Sequence, residues 1–240
     1  MPMLSLEGLV KIYGRKATVD RVSLSVESGS VVGLLGPNGA GKTTTFYMAV
    51  GIIRPDHGRV LLDGTDITPE ALYLRARRGI GYLPQESSVF RKLTAYENVA
   101  AILEVRSYPA EKIPARAAEL LAELGIGHLA ERKAYLLSGG ERRRLEIARA
   151  LASEPSFLLL DEPFAGIDPL AVAEIQGIIR ELSGRGIGVL ISDHNVRETL
   201  SVCDFAFILH EGRVVESGAP SKVAESELVR KIYLGESFKL

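Results

Sequence analysis

The chain has 240 residues, of which 46% are hydrophobic and 25% charged, and its 29 Lys and Arg against 30 Asp and Glu leave a formal net charge of −1. That composition is globular and excludes a disordered, collagen-like or low-complexity chain, while the missing basic excess argues against a dedicated nucleic-acid binder. The lone Cys203 has no partner for an internal disulfide and suits a reducing compartment, and with no bilayer-length apolar run or secretory leader the chain is expected to meet a membrane only through a partner.

In chain order, Leu4 to Val10 and Val22 to Val26 alternate apolar and polar residues, the pattern of half-buried strands. Val31 to Leu35 is different, being short and almost wholly apolar, as are Phe157 to Leu160 and Ile187 to Ile191. Each of the three fits a strand covered on both faces, as in a parallel sheet flanked by helices. A helix is expected from Lys42 towards Val50, and a strand ending in a turn over Arg59 to Gly64. Between about Gln85 and Glu154 the character turns helical. Ala115 to Leu124 is rich in Ala, Leu, Glu and Arg, Gly125 stands where a helix C-terminal glycine belongs, and a second helix reads from Arg142 to Ala152. Phe205 to Leu209 and Arg213 to Val215, joined through Glu211-Gly212, predict a late hairpin. A sheet is thus interrupted by a helical insertion and then resumed.

Three segments carry chemistry. Gly36-Pro37-Asn38-Gly39-Ala40-Gly41-Lys42-Thr43 fits G-x-x-x-x-G-K-[ST] between an apolar strand and a helix. Its glycines let successive N–H groups turn inward, and the helix N-terminus adds partial positive charge. Lys42 can reach β- and γ-phosphates, a contact worth roughly 4 kcal/mol at 4 Å near a surface before desolvation, and Thr43 can ligate Mg²⁺. Asp161 and Glu162 end a buried strand, where open α/β sheets place their ligands. Asp161 suits a magnesium shell, directly or through water, and Glu162 suits the deprotonation of an attacking water. Finally, Ser138 and Glu141 form an S-x-x-E capping box around Gly139 and Gly140, a second helix N-terminus able to hold an anion in a chain with one phosphate loop.

Leu137-Ser138-Gly139-Gly140-Glu141 resembles the signature motif of ABC transporter ATPases, with Glu141 where many members carry Gln. Other family elements match in order. Tyr13 in Ile12-Tyr13-Gly14 resembles the aromatic that stacks on adenine, and Gln85 in Leu83-Pro84-Gln85-Glu86 resembles the Q-loop glutamine. Gly166-Ile167-Asp168 resembles the D-loop, and His194 the switch histidine near the γ-phosphate. The resemblance implies ATP and Mg²⁺ as ligands. It places nucleotide contacts at Tyr13, at Gly36 through Thr43 and at Thr44, catalytic roles at Lys42, Gln85, Glu162 and His194, and metal contacts at Thr43, Gln85 and Asp161.

The implied fold is α/β: a P-loop, RecA-like ATPase core with a mainly parallel sheet, an N-terminal antiparallel β subdomain and an inserted helical subdomain. Residues 1–85 and 155–221 would form the nucleotide-binding core, 86–154 the helical subdomain and 222–240 a C-terminal tail. A homodimer is implied, in which the phosphate loop of one copy faces the Ser138-Gly139-Gly140 helix end of the other across ATP. Two transmembrane permease subunits are the implied partners, holding the chain at the cytoplasmic face of the inner membrane. Arg77, Tyr82, Phe90 and Arg91 are the candidate lining of the groove that receives them, and no nucleic acid is expected. Within the family, Arg142-Arg143-Arg144, Phe164 to Pro169, Asp193 to Thr199 and the ending Tyr233 to Leu240 are most similar to the ATPases of lipopolysaccharide exporters. Branched-chain amino-acid importer ATPases and soluble, non-transport ABC ATPases are the alternatives.

Overall fold

The computed structural model describes residues 1–235, so Glu236 to Leu240, most of the ending on which the exporter likeness drew, lie outside the described residues. The elements run β1 (Met3–Tyr13), β2 (Lys16–Glu27), β3 (Val31–Leu35), α1 (Lys42–Val50), β4 (His57–Leu62), β5 (Thr65–Asp66), α2 (Leu72–Arg77) and β6 (Ile80–Leu83). Then come α3 (Ala95–Val105), α4 (Ile113–Glu123), α5 (Gly139–Leu151), β7 (Phe157–Asp161), α6 (Pro169–Gly184), β8 (Gly188–Ser192) and α7 (Val196–Val202). The chain closes with β9 (Phe205–His210), β10 (Arg213–Gly218), α8 (Pro220–Glu225), α9 (Glu227–Val229) and a π-helical turn, Arg230–Leu234.

Two sheets form. One has the order β2-β1-β4-β5 and is antiparallel; the other has the order β10-β9-β3-β8-β7-β6 and is parallel except for the β9–β10 hairpin. Burial explains the division. Every residue of β3, β7 and β8 is buried, as their continuous apolar runs require, whereas the second half of β2 alternates buried and exposed positions. One core cluster joins α3, α4 and α5 to one face of the parallel sheet, through residues such as Leu103, Leu120, Leu145 and Leu160. A second packs the antiparallel sheet and α1 on the opposite face, through Leu6, Val22, Phe46 and Leu159. The architecture expected from the sequence, including its N-terminal antiparallel sheet and inserted helices, is the one observed.

Local differences have local causes. β6 is short and interrupted by Gly81, so its apolar signal is weak, yet it pairs with β7 from Ile80↔Phe157 to Leu83↔Leu160. The expected elements omit α6, the longest helix at 16 residues. Its start is encoded by Asp168, whose side chain accepts the Ala171 N–H at 3.0 Å, and by Pro169 in the first turn. Its inward stripe is Val172, Ile175, Ile179 and Leu182.

Candidate functional site

The strand order β3-β8-β7-β6 places four chain segments side by side at the carboxyl edge of the parallel sheet: the phosphate loop after β3, His194 after β8, Asp161-Glu162 at the end of β7, and Gln85 after β6. That edge is where parallel sheets present ligands. The phosphate loop is glycine-dependent in the strict steric sense. A Cβ on Gly36 would collide with the Leu209 carbonyl oxygen, and one on Gly41, whose φ is 105°, would come within 2.6 Å of the Thr18 carbonyl. Helix α1 begins at Gly41 with no side-chain cap and no acidic residue in its first turn, so its first N–H groups are left for an anion. Asn38, Gly39 and Thr43 are exposed on that loop, Pro37 and Thr44 half-buried, and Ala40 buried.

Lys42 is buried, and its ammonium donates to the carbonyls of Gly36 at 2.6 Å and Pro37 at 3.1 Å. Burial lowers its pKa, while Glu162, Asp161 and Asp193 oppose that shift by favouring the charged form. Asp161 and Asp193 are also buried, and desolvation raises both of their pKa values, with the charge of Glu162 adding to each. Asp161 is partly compensated by the Ser192 hydroxyl, which donates to its Oδ1 at 3.0 Å. Asp193 accepts backbone N–H groups from Phe164 at 3.0 Å and Asn195 at 2.8 Å. Three carboxylates therefore crowd a site whose nearest lysine rests on carbonyl oxygens. Among the described residues no three acidic or histidine side chains are gathered closely enough to hold a metal by themselves, so a hard divalent cation with oxygen ligands would draw on Asp161 together with Thr43 and Gln85.

Glu162 stands between two side chains. Gln85 Nε2 donates to its Oε2 at 2.9 Å, and His194 Nδ1 lies 3.1 Å from the same oxygen. Neither contact engages Oε1. The backbone of Glu162 is held at φ 48°, a conformation uncommon for a residue with a side chain, and its N–H donates to the Ser192 carbonyl at 2.6 Å. This φ turns the chain sharply at the end of β7, as strained residues at active sites do.

The signature segment forms the capping box its sequence predicts. The Ser138 hydroxyl accepts the Glu141 N–H at 3.3 Å, and the Glu141 carboxylate accepts the Ser138 N–H at 2.7 Å, which lowers the carboxyl pKa. Leu137 is buried and anchors this end, Gly140 is jammed against Ala171 of α6, and Gly139 lies beside Gly166 and Ile167. Gln85, Glu162, Gly139, Gly166 and Ile167 share one cavity, while Asp168 is used as the cap of α6. The phosphate-loop residues Pro37 to Ala40 line a different cavity with Lys16, Thr18 and Glu211. The first cavity holds no phosphate-loop residue, and the second holds no signature residue. Tyr13 is half exposed at the end of β1, pairs in register with Lys16, and has the Lys11 ammonium 5.8 Å from its ring centre.

Tyr82 and Arg91, two of the four candidate groove residues, line different cavities. Tyr82 turns partly inward, edge-on to Tyr47 at 6.5 Å, with its phenol pKa raised by burial and by the nearby Asp161 charge. It also lines a cavity between α2 and the end of α5, with Leu72, Ala76 and Ala150. Arg91 lines another with Val89 and Tyr135. Phe90 is 46% exposed, and Arg77 lies over the Tyr73 ring. Sequence reasoning missed what holds this region. Asn98, fully buried, accepts the Phe90 N–H at 2.8 Å and donates to the Phe90 carbonyl at 3.1 Å, while the Arg149 guanidinium sits 4.6 Å from the Phe90 ring centre. Arg143 and Glu146 form a buried ion pair at 3.0 Å. Arg143 also donates to the carbonyls of Pro84 and Asp161, and Glu146 accepts from the Ser87 hydroxyl and the Ser88 N–H. The pair thus ties α5 to the segment after β6 and to the end of β7. Only the Thr94-x-x-Glu97 box that starts α3 beside Asn98 left a sequence signal, as an S/T-x-x-E pattern.

A family model for ABC transporters matches residues 19–165. The chain is 54% identical to the lipopolysaccharide export system ATP-binding protein LptB of Haemophilus influenzae, with 100% of each chain covered. Among solved structures it is similar to MJ1267, an ATP-binding cassette of an ABC transporter in its ADP conformation, with a TM-score of 0.89 and 31% identity over 98% of this chain and 100% of that one. It is also similar to the ATP-binding cassette MJ0796, solved as a dimer in a post-hydrolysis state with ADP and Pi, with a TM-score of 0.80 and 27% identity over 90% and 98% of the two chains.

Proposed function

This chain belongs to the ABC transporter family as an ATP-hydrolysing subunit, and we propose that its ATP turnover drives the extraction of lipopolysaccharide from the inner membrane for export to the outer membrane. The observation that carries the cargo is the full-length likeness to a lipopolysaccharide export ATPase, 54% identical with no part of either chain left over. No described helix is long and apolar enough to cross a membrane, so the work reaches the cargo through membrane-spanning partners of that export system. They hold the chain at the cytoplasmic face of the inner membrane.

The chemistry follows from the site. Water attacks the γ-phosphorus of ATP, its proton passes to Glu162, and the bond from that phosphorus to the β–γ bridging oxygen breaks, leaving ADP and phosphate. Gln85 and His194 hold one carboxylate oxygen of Glu162, which leaves Oε1 to take the proton. Lys42 and the uncapped amides of α1 stabilise charge on the phosphates. Thr43, Asp161 and Gln85 are the residues that would hold Mg²⁺, which would supply further positive charge to the phosphates. Two copies clasp two nucleotides, each phosphate loop facing the partner's Ser138 end. The separation of the two cavities within one chain supports that reading, because the signature residues have no phosphate loop of their own to face.

The test of the cargo uses the chain purified with the membrane proteins that accompany it and placed in vesicles. Lipopolysaccharide in the vesicle should raise ATP turnover several-fold. Stimulation by leucine with a substrate-binding protein, and none by lipopolysaccharide, would assign the chain to amino-acid import instead.

A further inference from the structure

The C-terminal segment has no part in the site as described so far, yet it comes up against it. Helices α8 and α9 and the turn Arg230–Leu234 pack on Leu35, Leu200, Ala206 and Ile208, with Tyr233 among the side chains that complete this third core cluster. Leu35 is the last residue of β3 and Gly36 the first of the phosphate loop. The turn is π-helical, closed by the Gly235 N–H on the Arg230 carbonyl at 2.8 Å, a rare form that recurs at functional sites.

Tyr233 carries the unusual detail. Its hydroxyl oxygen is buried and has no hydrogen-bond partner among the described residues. The Gly36 N–H faces it without reaching hydrogen-bond geometry, and the charges of Asp193 and Glu162 are felt there. Burial pushes the phenol up to about 12, so it stays neutral at any working pH. An unpartnered buried hydroxyl is destabilising, and packing alone would be served as well by phenylalanine. The other side of the same Gly36 residue is the carbonyl that holds the Lys42 ammonium at 2.6 Å.

We infer that Tyr233 is a positioning residue of the nucleotide site: its hydroxyl receives the Gly36 N–H when the phosphate loop closes on a nucleotide, and through the Gly36 carbonyl it fixes where Lys42 holds its charge. This rests on the reading of residues 36–43 as the ATP site. The C-terminal segment is then a working part of that site, and its packing on β3 is the means by which the hydroxyl is aimed.

The experiment compares the full-length chain with its Tyr233→Phe variant, which keeps the ring and removes one oxygen. Loss of one neutral hydrogen bond should weaken binding of Mg-ATP about 2- to 10-fold, read by titration with a fluorescent ATP analogue and as a matching rise in KM. Maximal turnover should stay within about twofold and Tm should not fall, since the packing is retained. Unchanged affinity would overturn the inference. So would a drop in Tm accompanied by equal losses in kcat and in kcat/KM, which is what a packing role predicts. Lys42→Ala is measured alongside. If it binds the analogue as tightly as the parent, the ATP-site reading fails and the role of Tyr233 falls with it. If it loses binding while Tyr233→Phe does not, only the inference about Tyr233 fails.

Discussion

At Glu162 a single oxygen, Oε2, serves both Gln85 and His194. The two neighbours therefore orient the carboxylate without engaging Oε1, the oxygen that meets water on the proposed reading. Glu162→Gln keeps the shape and removes the base. ATP should bind as in the parent while turnover in a phosphate-release assay falls at least about 100-fold, the usual size of a general-base contribution. Near-normal turnover would move the proton acceptor elsewhere. Asp161 poses the opposite trade. Its folded pKa is raised, so the folded chain holds that proton more tightly than the unfolded chain does. Stability then declines as pH rises from the ordinary aspartate value near 3.9 through the raised folded value, and the full penalty is present above it. Asp161→Asn carries no such penalty. It should melt higher than the parent at pH 7.5, with a gain that shrinks as pH falls into the acidic carboxylate range, and it should lose Mg-dependent hydrolysis. An advantage independent of pH would mean that burial of the charge is not its source. Each 1 kcal/mol of relief reads as about 2–4 °C in Tm for a chain of this size.

Among the elements, α5 joins segments that are distant in sequence, through Arg143 and Glu146. Their side chains are 7% and 3% exposed, and they bind each other, the Pro84 and Asp161 carbonyls and the Ser87-Ser88 segment. Removing one partner of a buried pair strands the other, so Glu146→Ala should cost about 3–5 kcal/mol in urea unfolding. The combined change Arg143→Met with Glu146→Leu should cost clearly less than the sum of the single changes, because neither charge is left alone. Additive losses would show that the two do not act as a pair. This linkage also marks where sequence reading stops. The phosphate loop, the Asp161-Glu162 pair and the Ser138 cap are legible because each is a contiguous run whose spacing is its chemistry, and β3 and β7 because double burial demands unbroken apolar residues. Arg142-Arg143-Arg144 gives no such signal. Three arginines in a row look like one solvated face, yet Arg143 alone is taken into the interior, and that choice depends on a glutamate three residues on and on carbonyls from two other elements. Asn98 and Tyr233 give no signal either, since Asn98 acts on the backbone of Phe90 across a loop and Tyr233 packs on β3, far from it in sequence.

For the whole molecule, the decisive property is that the two candidate anion-holding helix ends of one chain adjoin different cavities, Pro37 to Ala40 before Gly41 lining one and Gly139 after Ser138 lining the other. On the proposed reading, a chain built this way completes a nucleotide site by lending its Ser138 end to a second copy. That arrangement predicts complementation between two dead variants. Lys42→Ala spoils the phosphate loop, and Ser138→Arg fills the signature end with a bulky side chain at the expense of about 1 kcal/mol of helix capping. Each variant alone should form only damaged sites. Mixed, they should form heterodimers in which the sound loop of the Ser138→Arg copy meets the sound Ser138 of the Lys42→Ala copy, while both defects fall together in the other site. ATP turnover should therefore rise well above that of either variant alone, and it should rise with the fraction of mixed dimers as the ratio approaches one to one. If each chain instead served its own phosphate loop with its own Ser138, every site in the mixture would carry a defect, and mixing would restore nothing at any ratio.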